Sequence, residues 1–288
     1  MLFRKLSLFC ILFGLISMAA CNQAASPDTD TSDESAEAQN EEEMGESNDA
    51  EEAQEDDTHD VVHWGYEGEG GPQHWGEIDP AYELCGTGMA QSPIDISAAA
   101  PEDLVDIAFN YSNTAVNIIN NGHTVQVNYD QGSSIEVNGK VYNLLQFHFH
   151  SPSEHELDGN LTTAEMHLVH QSDDGAYAVV GVMITEGDEN PAFADIWANM
   201  PDEESDVETI EGLAINALSL LPETRTYYHY AGSFTTPPCT EGVNWMVLTT
   251  PIAMSSEQIN AFHDLFGDNN RPVQPIHDRD LVEDTSTN

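Results

Sequence analysis

The chain has 288 residues, enough for one large domain or two small ones with a sizeable core, and its apolar content is ordinary at 40%. Its charge is not: 52 acidic residues face 6 basic ones, a formal net charge of -46, so no basic patch can be assembled and a nucleic-acid-binding face is excluded. Like charge at this density repels itself in a compact state and is relieved by screening, so one expectation is a saline or alkaline habitat, and the alternative is acidity gathered in one tail.

Residues 1–21 read as an export signal, in which Arg4 and Lys5 precede an apolar run from Leu6 to Ala20 that ends in small residues. Ser17-Met18-Ala19-Ala20-Cys21 resembles a bacterial lipoprotein processing site, with Met18 where Leu is usual. Cys21 is therefore the expected lipidation point, with simple cleavage as the alternative. The expected location is periplasmic or cell-surface, with the membrane reached through that lipid anchor. The apolar run is short for a bilayer span, and no later stretch approaches the ~20 apolar residues a span needs. Residues 22–60 carry Asp, Glu, Ser, Ala and Gln with almost nothing else apolar, the composition of a disordered, charge-extended linker. Cys10 and Cys21 fall in the leader, which leaves Cys85 and Cys239 for the folded part. In an oxidising compartment they suggest one disulfide, and two buried thiols are the alternative.

The composition changes at Val61. Aromatic residues and glycines enter together in His63-Trp64-Gly65-Tyr66 and His74-Trp75-Gly76, an ordered but irregular opening. From Leu104 to Met183 short alternating runs predict strands, among them Val116 to Ile119, Thr124 to Val127 and Ser134 to Val137. Turn signals part them at Asn121-Gly122, Gln131-Gly132 and Asn138-Gly139. His167 to His170 and Tyr177 to Val182 continue the pattern across Asp173-Asp174-Gly175. Apolar residues recur at helical spacing from Pro191 to Met200 and from Ser256 to Phe266. No repeat and no second break precede the polar end. Residues 61–283 thus read as one β-rich domain with small peripheral helices, and 284–288 as a tail.

Chemistry concentrates at Gln146-Phe147-His148-Phe149-His150. Successive side chains of a strand point to opposite faces, so His148 and His150 share one face and Phe147 and Phe149 the other. His167 can add a third imidazole from a neighbouring strand, and three neutral histidines with an open fourth position describe catalytic zinc. The alternative is a hydrogen-bonded pair of histidines in a polar strand. Gln146 and Glu165 each precede a histidine by two residues and share its face, as acceptors for a ligand's second ring proton do. Farther on, Pro237 and Pro238 hold Thr235 and Thr236 in a rigid extended loop. A hydroxyl there can accept a proton from metal-held hydroxide and pass its own to a carboxylate, for which Glu154 is the candidate.

Together with Gln91-Ser92-Pro93-Ile94-Asp95-Ile96, Asn121-Gly122-His123, Ser153-Glu154-His155, Glu165-Met166-His167-Leu168-Val169-His170, Ser233-Phe234-Thr235-Thr236-Pro237-Pro238-Cys239 and Asn270-Arg271-Pro272-Val273-Gln274-Pro275, these segments stand in an order that resembles the α-class carbonic anhydrases. The resemblance runs from about His63 to Arg279. It implies a mainly β single domain around a large, mostly antiparallel, twisted central sheet with short peripheral helices. It also implies zinc-dependent reversible hydration of carbon dioxide to bicarbonate and a proton, by attack of zinc-bound hydroxide. Carried over by position, one zinc ion is held by His148, His150 and His167, with Gln146 and Glu165 bonded behind them. Thr235, oriented by Glu154, orients the hydroxide, and its N–H and Thr236 meet bicarbonate. Val169, Val179, Val243 and Trp245 form an apolar wall for carbon dioxide, and Phe234, where Leu is common, narrows the pocket. His123 stands at the proton-shuttle position, with Tyr66 and Gln126 (where many relatives have Asn) ordering a water chain. Cys85 and Cys239 match the single disulfide of bacterial members. An ester hydrolase on the same scaffold and a zinc- or glycan-binding surface module whose metal is only structural are the competing readings, and a homodimer is left open.

Overall fold

The computed structural model describes residues 63–286; the stretches expected to be an export signal and an acidic linker, with Cys21, lie outside the described residues. In chain order the strands are β1 (Asp95–Ile96), β2 (Ala100–Glu102), β3 (Ala108–Asn110), β4 (Thr114–Asn120), β5 (Val125–Asn128), β6 (Ser134–Val137), β7 (Lys140–His150) and β8 (Glu156–Leu157). They continue with β9 (Asn160–Leu161), β10 (Ala164–Gln171), β11 (Tyr177–Glu186), β12 (Glu208–Ile215), β13 (Tyr227–Ser233), β14 (Glu241–Met254) and β15 (Val282–Asp284). The α-helices are α1 (Trp75–Ile78), α2 (Leu84–Thr87), α3 (Ala194–Trp197) and α4 (Ser256–Phe266).

One sheet of twelve strands dominates, ordered β12-β4-β5-β7-β10-β11-β14-β13-β15-β2, with β6 and β3 continuing beside β7. Within it every pair is antiparallel except β11 with β14 and β15 with β2. Strands β1, β8 and β9 form a small second sheet. The hairpins follow their turn residues. Between β6 and β7, Val137 pairs with Lys140, and Asn138 and Gly139 take φ of +53° and +74°, the two-residue turn whose twist matches the flanking strands. Strand β15 ends at a buried Asp284, so the sheet runs one residue into the stretch read as a tail.

Period-two alternation decides which face each side chain of β7 meets. Phe147 and Phe149 enter the main core, where Phe149 meets Trp197 and Phe262 edge-on at centroid distances of 5.0 and 6.1 Å. Helix α4 supplies Phe262 and Ile259 to that core. Its start is fixed by a capping box in which Ser255 and Gln258 satisfy each other's backbone N–H, and Gly267 at φ +63° follows its end. The helix expected over 191–200 is instead a 3₁₀ turn at Pro191–Phe193 running into the single turn of α3. The opposite face of the sheet carries a smaller apolar cluster with Val169, Val179, Val243, Trp245 and Tyr230. A third cluster gathers Trp64, Tyr66 and Trp75 around the Cys85–Cys239 disulfide.

Candidate metal centre

Strand register builds the site. Strands β7 and β10 place His148 directly opposite His167, and β5 places Gln126 opposite His148 on its other side. His150 follows two residues along β7, so three imidazoles converge. Their ring centroids lie 4.6 to 5.3 Å apart, and one nitrogen from each falls within 4.8 Å of the others.

The second nitrogen of each ring is engaged by an acceptor, which sets the tautomer. His148 Nδ1–H donates to Gln146 Oε1 at 2.8 Å. His150 Nδ1–H donates to the Asn269 carbonyl at 2.8 Å. His167 Nε2–H donates to Glu165 Oε1 at 2.9 Å. The lone pairs left facing the site are therefore Nε2, Nε2 and Nδ1. Burial keeps all three rings unprotonated: it pushes His148 well below the ordinary histidine range, His150 down to about 4, and His167 down as well. Burial also opposes ionisation of Glu165, yet the His155 and His167 rings hold its carboxyl well below the usual range. The approach of β11 is shaped for this carboxylate, since a Cβ on Gly181, opposite His167, would stand 3.1 Å from Glu165 Oε1.

Glu154 completes the floor. Its Oε1 accepts the Arg271 N–H at 2.9 Å. Its Oε2 faces His150 Nε2 at 3.5 Å and His167 Nδ1 at 3.8 Å. Burial pushes this carboxyl up to about 7, against the downward pull of His167, the Arg271 amide and the Thr235 hydroxyl. Glu154 Oε2 and His150 Nε2 are both buried without a hydrogen-bond partner. Two buried acceptors without partners call for an occupant. With three neutral imidazoles beside them, the donor set fits a divalent cation of the zinc type.

Above the histidines opens a cleft of about 250 Å³ lined by Val169, Val179, Trp245, Phe234, Thr235 and Thr236 along with Gln146, His148 and His167. Val243 belongs to the same apolar cluster without lining the cleft. The Thr235 loop is fixed by Phe234 N–H donating to the Thr240 carbonyl at 3.0 Å and Cys239 N–H donating to the Thr236 carbonyl at 2.9 Å. Gln126 turns its amide to Asn128 Oδ1 at 2.6 Å. Tyr66 is held neutral by burial and by the charge of Glu154. His123 is half-buried and stacked on Trp64, ring centroids 3.6 Å apart, with the Tyr66 ring 6.4 Å away. The geometry thus joins the triad, Gln146, Glu165, Glu154 and the Thr235 loop in one site, with His123 on a separate turn.

Several contributors are missing from the sequence reading. Glu165 Oε1 also meets His155 Nδ1 at 2.8 Å, and its Oε2 accepts the Glu154 and His155 amides at 2.9 Å each. The far side of His155 meets Tyr230 Oη at 2.7 Å, and that hydroxyl meets Ser92 Oγ at 2.9 Å. Arg271 is buried, its guanidinium donating to Gln91 and to the Ser92 and Cys85 carbonyls at 2.7 to 2.9 Å. Gln91, Ser92, His155 and Arg271 stand in segments that carried the resemblance, without a role read for them there, and Tyr230 stands in none.

Comparisons with known proteins agree with this geometry. The family model described as eukaryotic-type carbonic anhydrase matches residues 70–285. A carbonic anhydrase of Pectobacterium atrosepticum is 46% identical over 229 residues, covering 77% of this chain and 91% of its own length. One from Nostoc sp. is 44% identical over 228 residues, covering 77% and 86%. The solved α-carbonic anhydrase of Thermovibrio ammonificans, in complex with the inhibitor sulfanilamide, superposes with a TM-score of 0.74 at 44% identity, covering 77% of this chain and 99% of that one. The match spans the triad, the Glu154 floor and the threonine loop alike, and the chain belongs to the eukaryotic-type, or α-class, carbonic anhydrase family.

Proposed function

We propose that this chain catalyses the reversible hydration of carbon dioxide to bicarbonate and a proton, with one zinc ion held by His148, His150 and His167. The observation that carries the reading is the convergence of three neutral, tautomer-fixed imidazoles beneath an apolar-walled cleft. Bound there, zinc supplies the Lewis acidity that lowers the pKa of water and so makes a nucleophile available near neutral pH. The chain's own residues do the rest. Thr235, whose hydroxyl acts on Glu154, presents an oxygen lone pair to the cleft and so selects how the attacking group points. Val169, Val179 and Trp245 offer an apolar wall with no competing hydrogen bonds, which suits an uncharged, linear substrate. Thr236, which lines the cleft, and the Thr235 N–H would meet the anionic product. His123 then carries the released proton to buffer, a task suited to a group whose ordinary pKa is near the operating pH. Export through residues 1–21 and lipidation at Cys21 would put this chemistry at the cell envelope.

The test is carbon dioxide hydration measured by stopped flow with and without a zinc chelator, in the native chain and in His167→Ala. Chelation and substitution should each remove most of the zinc and lower the rate by ~100-fold or more. Full activity in zinc-free protein would overturn the assignment.

A further inference from the structure

His123 sits on a turn that is held from several sides. Asn121 Oδ1 accepts from the His123 and Thr124 amides at 3.0 Å each. Asn269 Nδ2 donates to the His123 carbonyl at 2.9 Å, and the imidazole lies flat on Trp64. The loop over residues 201–205 forms another side, and no step described above uses it. Both of its ends are fastened to Asn120 at the end of β4. Asn120 Nδ2 donates to the Pro201 carbonyl at 3.1 Å, and the Asn120 carbonyl accepts from Ser205 N–H at 2.9 Å. The stretch between, Asp202-Glu203-Glu204, is exposed and acidic. Its last carboxylate comes down on the shuttle turn: a Cβ added to Gly122 would stand 3.3 Å from Glu204 Oε2.

We propose that Glu204 is a positioning residue for proton export, its carboxylate held over the Asn121-Gly122-His123 turn so that it stabilises the imidazolium form of His123. The inference rests on the reading of His123 as the proton carrier. The electrostatics of the ring support it, since burial lowers the His123 pKa and the Glu204 charge raises it again. Tyr66, the titratable group facing the ring from the aromatic cluster, is held in its neutral form by burial. Asp202 and Glu203 share the loop and its sign of charge. The proton balance is simple. A proton arriving from the cleft converts imidazole to imidazolium and leaves from the same ring to buffer, while Glu204 neither gains nor loses one. Without that carboxylate burial prevails, the ring becomes a weaker base, and transfer out of the cleft is less favourable.

The experiment titrates His123 by NMR in the zinc-loaded wild type, Glu204→Gln and Glu204→Lys, and measures turnover of each in dilute and concentrated buffer. The His123 pKa should fall by roughly 0.5 to 1 in the Gln variant and further in the Lys variant. Turnover in dilute buffer should drop about two- to fivefold in Glu204→Gln, in line with a pKa change of that size. Both differences should shrink at about 1 M NaCl, because charges near the surface are screened. An unchanged His123 titration overturns the inference, as does a shifted titration with unchanged dilute-buffer turnover. His123→Ala separates the two levels. If it does not slow turnover in dilute buffer, the reading of His123 as carrier has itself failed.

Discussion

His170 shows how far burial alone can move one residue. It follows His167 of the triad by three positions on β10, past a register shift, and its Nε2 meets Tyr111 Oη at 2.7 Å. Burial pushes its pKa down to about 3, against about 6.5 for a histidine in an unfolded chain. The unfolded chain therefore binds a proton below about pH 6.5 that the folded one refuses until about pH 3. The stabilisation is whole above the upper value and drains away as pH falls toward the lower one. Between pH 7 and pH 5 the native chain should lose about 2 kcal/mol through this group. Urea unfolding at the two pH values, in the wild type and in His170→Gln with zinc held in excess, checks it. The variant should show a flatter fall, and parallel falls would remove His170 as the cause.

Strand β13 depends on one glycine in the same way that the site depends on its histidines. Gly232 pairs with Val243 across to β14. A Cβ there would collide with Ser92 Oγ and stand 2.8 Å from atoms of Trp245 and Tyr230, and all three neighbours are buried. Gly232→Ala should cost about 1–3 kcal/mol, as overpacking does, and should loosen the Ser92–Tyr230–His155 chain that ends on Glu165. A lowered urea midpoint together with weaker zinc retention checks both halves of that expectation. The contrast with β7 explains what was legible beforehand. Alternation is local, so Phe147 and Phe149 could be assigned to the core and His148 and His150 to the site from five consecutive residues. The acceptors that fix the rings are not local. Asn269 lies 119 residues from His150, and Tyr230 lies 75 from His155, so no pattern near the ligands announces them. The short helices near the start were hidden for another reason: each is one turn, too brief for apolar periodicity to show.

For the molecule as a whole, charge is the distinguishing quantity. Four basic residues, Lys140, Arg225, Arg271 and Arg279, lie among the described residues. Lys140 reaches a carboxylate, Asp174, at 2.9 Å. Arg225, Arg271 and Arg279 spend their side-chain donors chiefly on carbonyl groups. Surface acidity is thus left to solvent cations, and repulsion should be felt as salt is withdrawn. Raising NaCl from millimolar to about 1 M should lift the melting temperature by about 5 °C or more, a gain of roughly 1–2 kcal/mol for a domain of this size. An unchanged melting temperature would argue against adaptation to salt. Asn269, just beyond α4, works at the same scale but against such loosening. Its carbonyl holds His150, its Oδ1 accepts Ser151 N–H at 2.7 Å, and its Nδ2 reaches the carbonyls of Phe149 and His123. One residue, through its backbone carbonyl and its side chain, therefore ties the histidine triad to the turn that carries His123. Under the proposed function, the length of the proton's path would be set by a residue that touches neither the metal nor the proton, and whatever shifts the end of α4 would change both ends of that path together.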